Sequence, residues 1–311
     1  MRDSLRAEWT KLRTRPSTIW LLLGTATLTV AVSAAAAAAT RCPSGGCADD
    51  PAKISLTGIY LGQAVIAVLA VMAVSDEYST GMIRVTLAAI PRRLTLLAAK
   101  AVAVAGLALV TGAIAVGGSL LAGRLILPGQ GIGPADGYPP LSPGDGAVLR
   151  AAAGSVLYLV LIALLSLGVA TALREAASAV GGVLGLLYLF PIVAAITGDA
   201  AMSRHLEQVG PMTAGLAIEA TTNLAALPIG PWAGLGVLAA WAAAALLAGA
   251  LLLQRRDALS GDGDEDLHVV SGRGELERLG DLVERPGGGD EVGRPDRSRA
   301  QQLGRVPEVF R

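Results

Sequence analysis

Histidine and cysteine occur twice each and lysine only three times in 311 residues, and aromatic side chains make up 4% of the chain. Each shortage removes a class of chemistry. His205 and His268 stand too far apart to form the helix-borne histidine pair of a zinc protease. Lys11, Lys53 and Lys100 follow Thr10, Ala52 and Ala99, so no glycine-rich loop closes on a lysine and the chain has no P-loop of its own. Charged residues amount to 16%, against about a quarter in a soluble domain. They are missing from the centres of the long apolar runs, where a membrane enzyme or ion pump keeps them because charge at that depth is costly and retained for work. A membrane-embedded enzyme is therefore disfavoured.

What the sequence has in quantity is apolar length. Hydrophobic residues reach 53% and the mean hydropathy is +0.57. The zero net charge averages long apolar runs with short clusters of Arg, Asp and Glu, so it says nothing about partners. A bilayer core of about 30 Å needs about 20 helical residues. Six segments meet that length: Ile19 to Ala39, Leu56 to Ser75, Val102 to Ala122, Ala151 to Leu173, Ala176 to Thr197 and Trp232 to Leu253. The first is longer than a signal-peptide core of about 7 to 15 residues and is read as a retained helix. The expectation is an all-α polytopic membrane protein with six transmembrane helices.

Basic residues near the span ends divide twelve to five. Arg2, Arg6, Lys11, Arg13, Arg15, Arg84, Arg92, Arg93, Lys100, Arg174, Arg255 and Arg256 fall on one side, and Arg41, Lys53, Arg124, Arg150 and Arg204 on the other. The positive-inside bias then predicts that both ends of the membrane domain are cytoplasmic.

Three regions outside the spans stand out. Residues 1–17 predict an amphipathic helix, with Leu5, Trp9 and Leu12 on one face and Arg2, Arg6 and Arg13 elsewhere on the wheel, ended by Pro16. It is read as an interfacial anchor in contact with lipid, as a lever against a cytoplasmic partner, or as both. Between spans two and three, Asp76 to Arg93 predicts a short helix along the membrane surface, since Ile83, Leu87 and Ile90 share a face and Pro91 ends it. Asp76 and Glu77 precede that helix, where negative charge favours its N-terminal dipole. The alternative is a solvated linker whose arginines only fix topology. Before span six, Met212 to Leu227 is apolar but too short to cross, and it carries Glu219, Thr221, Thr222 and Asn223. Polar groups at membrane depth are tolerated only where they face protein or water, so either a re-entrant element at an outer gate or an ordinary interfacial helix fits.

The remaining features are plainer. Cys42 and Cys47 lie in the first outer loop and are open to a disulfide, to free thiols or to a metal, although two thiols alone make a poor zinc site. The loop from Arg124 to Arg150 is rich in proline and glycine without apolar periodicity, and Gly129 to Gly133 follows no strand, so it is not a phosphate cradle. The two-residue turn Arg174-Glu175 predicts an antiparallel hairpin of spans four and five. In span five, Gly181 and Gly185 form a small-xxx-small pair suited to close helix packing, and Pro191 invites a kink. Residues 257–311 hold 13 acidic and 8 basic side chains with too little apolar content for a core, and predict a disordered charged tail. The predicted organisation is thus 1–17, an interfacial helix; 18–256, a six-helix membrane domain; and 257–311, the tail.

Several of these residues together resemble the permease subunits of bacterial ABC-2 type ABC transporters, in the version common among actinobacteria. The resemblance rests on Glu8 to Ser17 before span one, and on Glu77-Tyr78, Gly81, Ile83-Arg84, Thr86-Leu87 and Pro91-Arg92-Arg93 after span two. It is joined by Pro231-Trp232-Ala233-Gly234-Leu235 and by Arg255-Arg256-Asp257-Ala258, and it covers residues 1 to about 258. It implies a subunit of the bacterial plasma membrane that forms a homodimer or heterodimer, sits on separate ATP-binding subunits and moves a substrate outward. The chain would bind no cofactor, ATP and Mg belonging to the partner ATPase, and no nucleic acid. The resemblance makes the helix after span two a coupling helix, with Glu77, Tyr78, Gly81, Arg84, Arg92 and Arg93 docking on the ATPase. Trp9, Lys11, Arg13 and Arg15 would pack beside it, and the Glu219 to Asn223 segment would be an outer re-entrant element. A charged Glu219 departs from the uncharged residue such a segment is expected to carry. A non-transporting immunity or sensor subunit of the same fold stays open as an alternative.

Overall fold

The structure is a computed structural model, which describes residues 16–41, 50–79, 93–133, 138, 141–142 and 144–255. The chain divides into two units, Met1–Asp257 and Ala258–Arg311, and the second lies wholly outside the described residues.

Helix is the only regular structure among the described residues, with no strand. The long elements are α1 (Pro16–Ala39), α3 (Ile59–Ser79), α4 (Arg93–Ile126), α5 (Gly146–Leu173), α6 (Ala176–Ile196) and α9 (Pro231–Arg255), with a short α2 (Pro51–Leu56) leading into α3. Two further short helices, α7 (Ala200–Val209) and α8 (Pro211–Leu216), precede α9. Six candidate spans are long and apolar enough to cross a membrane. They match the six predicted segments, because mean hydropathy over about 20 residues is what a bilayer selects.

The spans differ in where their boundaries fall. Helix α4 begins at Arg93, nine residues before the predicted Val102, so Lys100 lies inside it. Lys100 is 5% exposed, and its Nζ donates to the Ala73 carbonyl of α3 at 3.3 Å. A buried lysine bonded to a neighbouring helix does not end a span. At the base of α3, Asp76 to Ser79 form the last turn of that helix, which runs four residues beyond the predicted end of span two, so their backbone lies at a helix C-terminus. Residues 80–92, with the expected short helix, lie outside the described residues.

Helix α5 is the centre of the bundle. It is the most enclosed span, with 61% of its apolar window buried against 17% for α1, and it packs on α3, α4, α6 and α9. Tyr158, Leu159, Ile162, Leu165 and Leu167 are all fully buried along it. Its most extensive neighbour is α9. There, a Cβ on Gly168 would stand 2.5 Å from the backbone of Ala245 and Leu246, so only glycine permits the approach. The predicted pair Gly181 and Gly185 meets nothing within 4 Å, and its small-residue face is not a helix contact within the described chain. The Arg174-Glu175 hairpin is as expected, with Arg174 in the left-handed region at φ 63° closing α5. Helix α6 continues through Pro191.

Candidate functional site

Residues 197–230, between α6 and α9, fold back into the bundle and meet Asp50 at the start of α2. Helix α7 is amphipathic, has no buried residue and leaves His205 exposed. At Gly210 the chain turns, and Pro211 starts α8, as proline favours the first helical position. From there Met212, Ala214, Gly215, Leu216, Ala217, Ile218 and Glu219 are buried. The segment is therefore inserted among α5, α6 and α9 rather than lying across them.

Two glycines make the insertion possible. A Cβ on Gly154 of α5 would be 2.0 Å from Ile218 Cγ1, and one on Gly215 would be 2.6 Å from the Tyr158 ring. Under the inserted segment lies a buried polar ring. The Tyr158 hydroxyl donates to Gln63 Oε1. Gln63 Nε2 donates to the Tyr60 carbonyl at 3.2 Å and to the Tyr188 hydroxyl at 3.4 Å, and Tyr188 donates to the same Tyr60 carbonyl at 2.6 Å. These bonds tie α3, α5 and α6 together at one level, and each is costly to break because its partner would be left unsatisfied away from water.

The tip of the segment is held by one carboxylate. Asp50 caps α2, accepting from Ala52 N at 3.1 Å and Lys53 N at 3.4 Å. The same carboxylate accepts from Thr221 N, from Thr221 Oγ1 at 2.6 Å and from Thr222 N at 2.9 Å. Beside it, Arg150 Nη2 donates to the Ala220 carbonyl at 2.7 Å. Charge-assisted bonds of this kind are roughly twice as strong as neutral ones. Asp50→Ala is therefore expected to speed hydrogen exchange of the 217–222 amides at least about tenfold, or about 1.4 kcal/mol of local stability, with Asp50→Asn in between. Unchanged exchange in Asp50→Ala would mean the clasp does not hold the tip.

Of the predicted site residues, Glu219 and Asn223 separate. Glu219 is fully buried, and neither carboxylate oxygen has a hydrogen-bond partner. Burial pushes its carboxyl well above the usual carboxylate range; Lys53 opposes the shift and Asp50 adds to it. Asn223 is exposed and left-handed at φ 50°, a turn position that asparagine tolerates better than most residues. A cavity of about 230 Å³ opens next to the segment, bounded by Lys53, Tyr60, Glu207, Leu216, Ala217 and Ala220 among others.

The other predicted site residues cannot be placed. Trp9, Lys11, Arg13, Arg15, Cys42, Cys47, Gly81, Arg84 and Arg92 lie outside the described residues, as do the side chains of Glu77, Tyr78 and Arg93. Sequence reasoning missed Asp50, Gln63, Tyr158 and Tyr188. Asp50-Pro51 carries the signature of a helix start, and Gln63 and Tyr158 are polar residues within spans. Both signals were readable, but a search confined to ionisable groups inside spans passes over them.

No curated protein matches the sequence significantly. Residues 4–134, from the N-terminal segment through α4, match the family model described as ABC-2 family transporter protein. With six helices long and apolar enough to cross a membrane, the chain is an integral membrane protein that is similar over residues 4–134 to ABC-2 family transporter proteins.

Proposed function

We propose that this chain is the transmembrane permease subunit of an ATP-driven exporter, working as a homodimer or heterodimer on separate ATP-binding subunits that carry ATP and Mg. The observation that carries the reading is the family match over residues 4–134, which spans both the N-terminal segment and the Asp76 to Arg93 connection. In this reading Glu77, Tyr78, Gly81, Arg84, Arg92 and Arg93 engage the ATPase, and Trp9, Lys11, Arg13 and Arg15 anchor the helix beside them. The twelve-to-five basic bias supports placing both ends of residues 18–256 in the cytoplasm and the 197–230 segment outside. That segment then serves as the outer gate, and 257–311 is a cytoplasmic tail that transport does not need.

The test is assembly. The chain, extracted in mild detergent, is expected to co-purify with a separate P-loop ATPase from its source cells and to stimulate that enzyme's hydrolysis. The pair Arg92→Ala with Arg93→Ala is expected to lower the recovered ATPase at least about tenfold. A chain that reaches the membrane at normal levels yet recovers no ATPase would defeat the reading.

A further inference from the structure

Glu219 is the one described carboxylate that is fully buried with both oxygens unpartnered, and it sits between two attachments of the inserted segment. On its N-terminal side, Ile218 is locked against Gly154. On its C-terminal side, Thr221 and Thr222 are clasped by Asp50. Ala217 and Ala220, two residues before it and one after, line the 230 Å³ cavity, while the carboxyl itself is sealed.

An ionised carboxylate in such a place is far more costly than a neutral acid with unmet hydrogen bonds unless it is paired and bonded. The difference has to be relieved by a proton or by movement. We propose that Glu219 is a proton-binding site that latches the 211–222 segment in its inserted position, and that loss of the proton releases the segment toward the cavity, where Lys53 and water receive the carboxylate. Glu219 belongs to this segment alone, and the proposal does not depend on what the chain transports.

The groups that face Glu219 set the sign. From α2 and its cap come Lys53, which favours ionisation, and Asp50, which opposes it. Helix α3 contributes Tyr60, and α5 contributes Tyr158 and Arg150, the latter engaged with the Ala220 carbonyl. Helix α8 has no ionisable residue, and α9 has none before Arg255. The inserted form holds its proton more tightly than a hydrated form does, as burial of the carboxyl dictates. The inserted form is thus fully favoured below the ordinary carboxylate range and loses that advantage as pH rises toward the raised value.

The experiment places a reporter, Ala220→Cys, in the full chain with Cys42→Ser and Cys47→Ser, and measures labelling by a membrane-impermeant maleimide over about pH 5 to 9. Each rate is divided by that of a free thiol at the same pH. The normalised rate is expected to rise at least tenfold with pH in the Glu219 chain and to stay low and flat in Glu219→Gln. Lys53 is exposed, so Lys53→Ala should fold, and with its opposing charge gone the rise should move to higher pH. The proposal is overturned if Glu219 and Glu219→Gln give the same profile. It is equally overturned if Lys53→Ala leaves the midpoint in place or moves it down, a result that holds even where Glu219→Gln fails to accumulate.

Discussion

Gly168→Val is expected to remove most folded protein from the membrane, while Gly181→Val leaves it at the wild-type level. The two glycines lie on adjoining helices and look alike in sequence, so the contrast is structural. A Cβ on Gly168 would be 2.5 Å from Ala245 C and Leu246 N, and Gly249 answers from the other side, where a Cβ would lie 2.8 Å from the Gly168 carbonyl. Those atoms are backbone and cannot swing aside. Valine must therefore part α5 from α9, the most extensive helix pair in the chain. Between apolar helices in lipid, attraction comes from close packing and not from expelled water, so separation forfeits it directly. Overpacking a core costs about 1 to 3 kcal/mol when side chains can adjust, and here the upper end or more applies. Size-exclusion profiles and thermal unfolding of the detergent-extracted chain give the readout. Equal yield and melting temperature for Gly168→Val would mean that α5 and α9 do not touch at that point.

The same pair of glycines marks what could be read without coordinates. The six spans were legible because hydropathy accumulates along the chain, and a bilayer responds to the sum over about 20 residues. Which glycine packs was not legible, because small-residue spacing in Gly181 and Gly185 is the same whether the face meets a helix or lipid. Span ends were misjudged where a charge found a partner: Lys100 reads as a stop until its bond to the Ala73 carbonyl is known. At the site, Glu219 announced itself as a charge in an apolar stretch, but its burial without a partner was not legible, because the cost of burying a charge argues against it. Asn223, four residues on, shares the composition argument but is exposed, since a left-handed residue turns the chain outward. Asp50 shows the other limit. Its capping role follows from Asp-Pro at a helix start, but its bonds to Thr221 and Thr222 join residues more than 170 apart, and no local pattern encodes them.

Glu77→Ala is expected to leave the chain in the membrane at normal levels while lowering the substrate-stimulated ATPase activity of the assembled complex at least tenfold, about 1.4 kcal/mol. The backbone gives this expectation a sharper form than the sequence did. Glu77 lies in the last turn of α3, where a carboxylate opposes the dipole of that helix by about 0.3 to 1 kcal/mol. Alanine there should slightly strengthen α3, so weakened coupling cannot be traced to melting of the α3 end. Asp76→Asn removes a similar dipole penalty one residue earlier and should leave coupling intact. Losing one partner of a buried charged contact typically costs about 2 to 5 kcal/mol, against about 0 to 1 for a solvated charge, so the two roles of Glu77 differ by more than the assay's scatter. If Glu77→Ala hydrolyses ATP with the same substrate stimulation as the wild-type complex, the base of α3 is only a charged turn, and docking on the ATPase must be sought elsewhere on the chain.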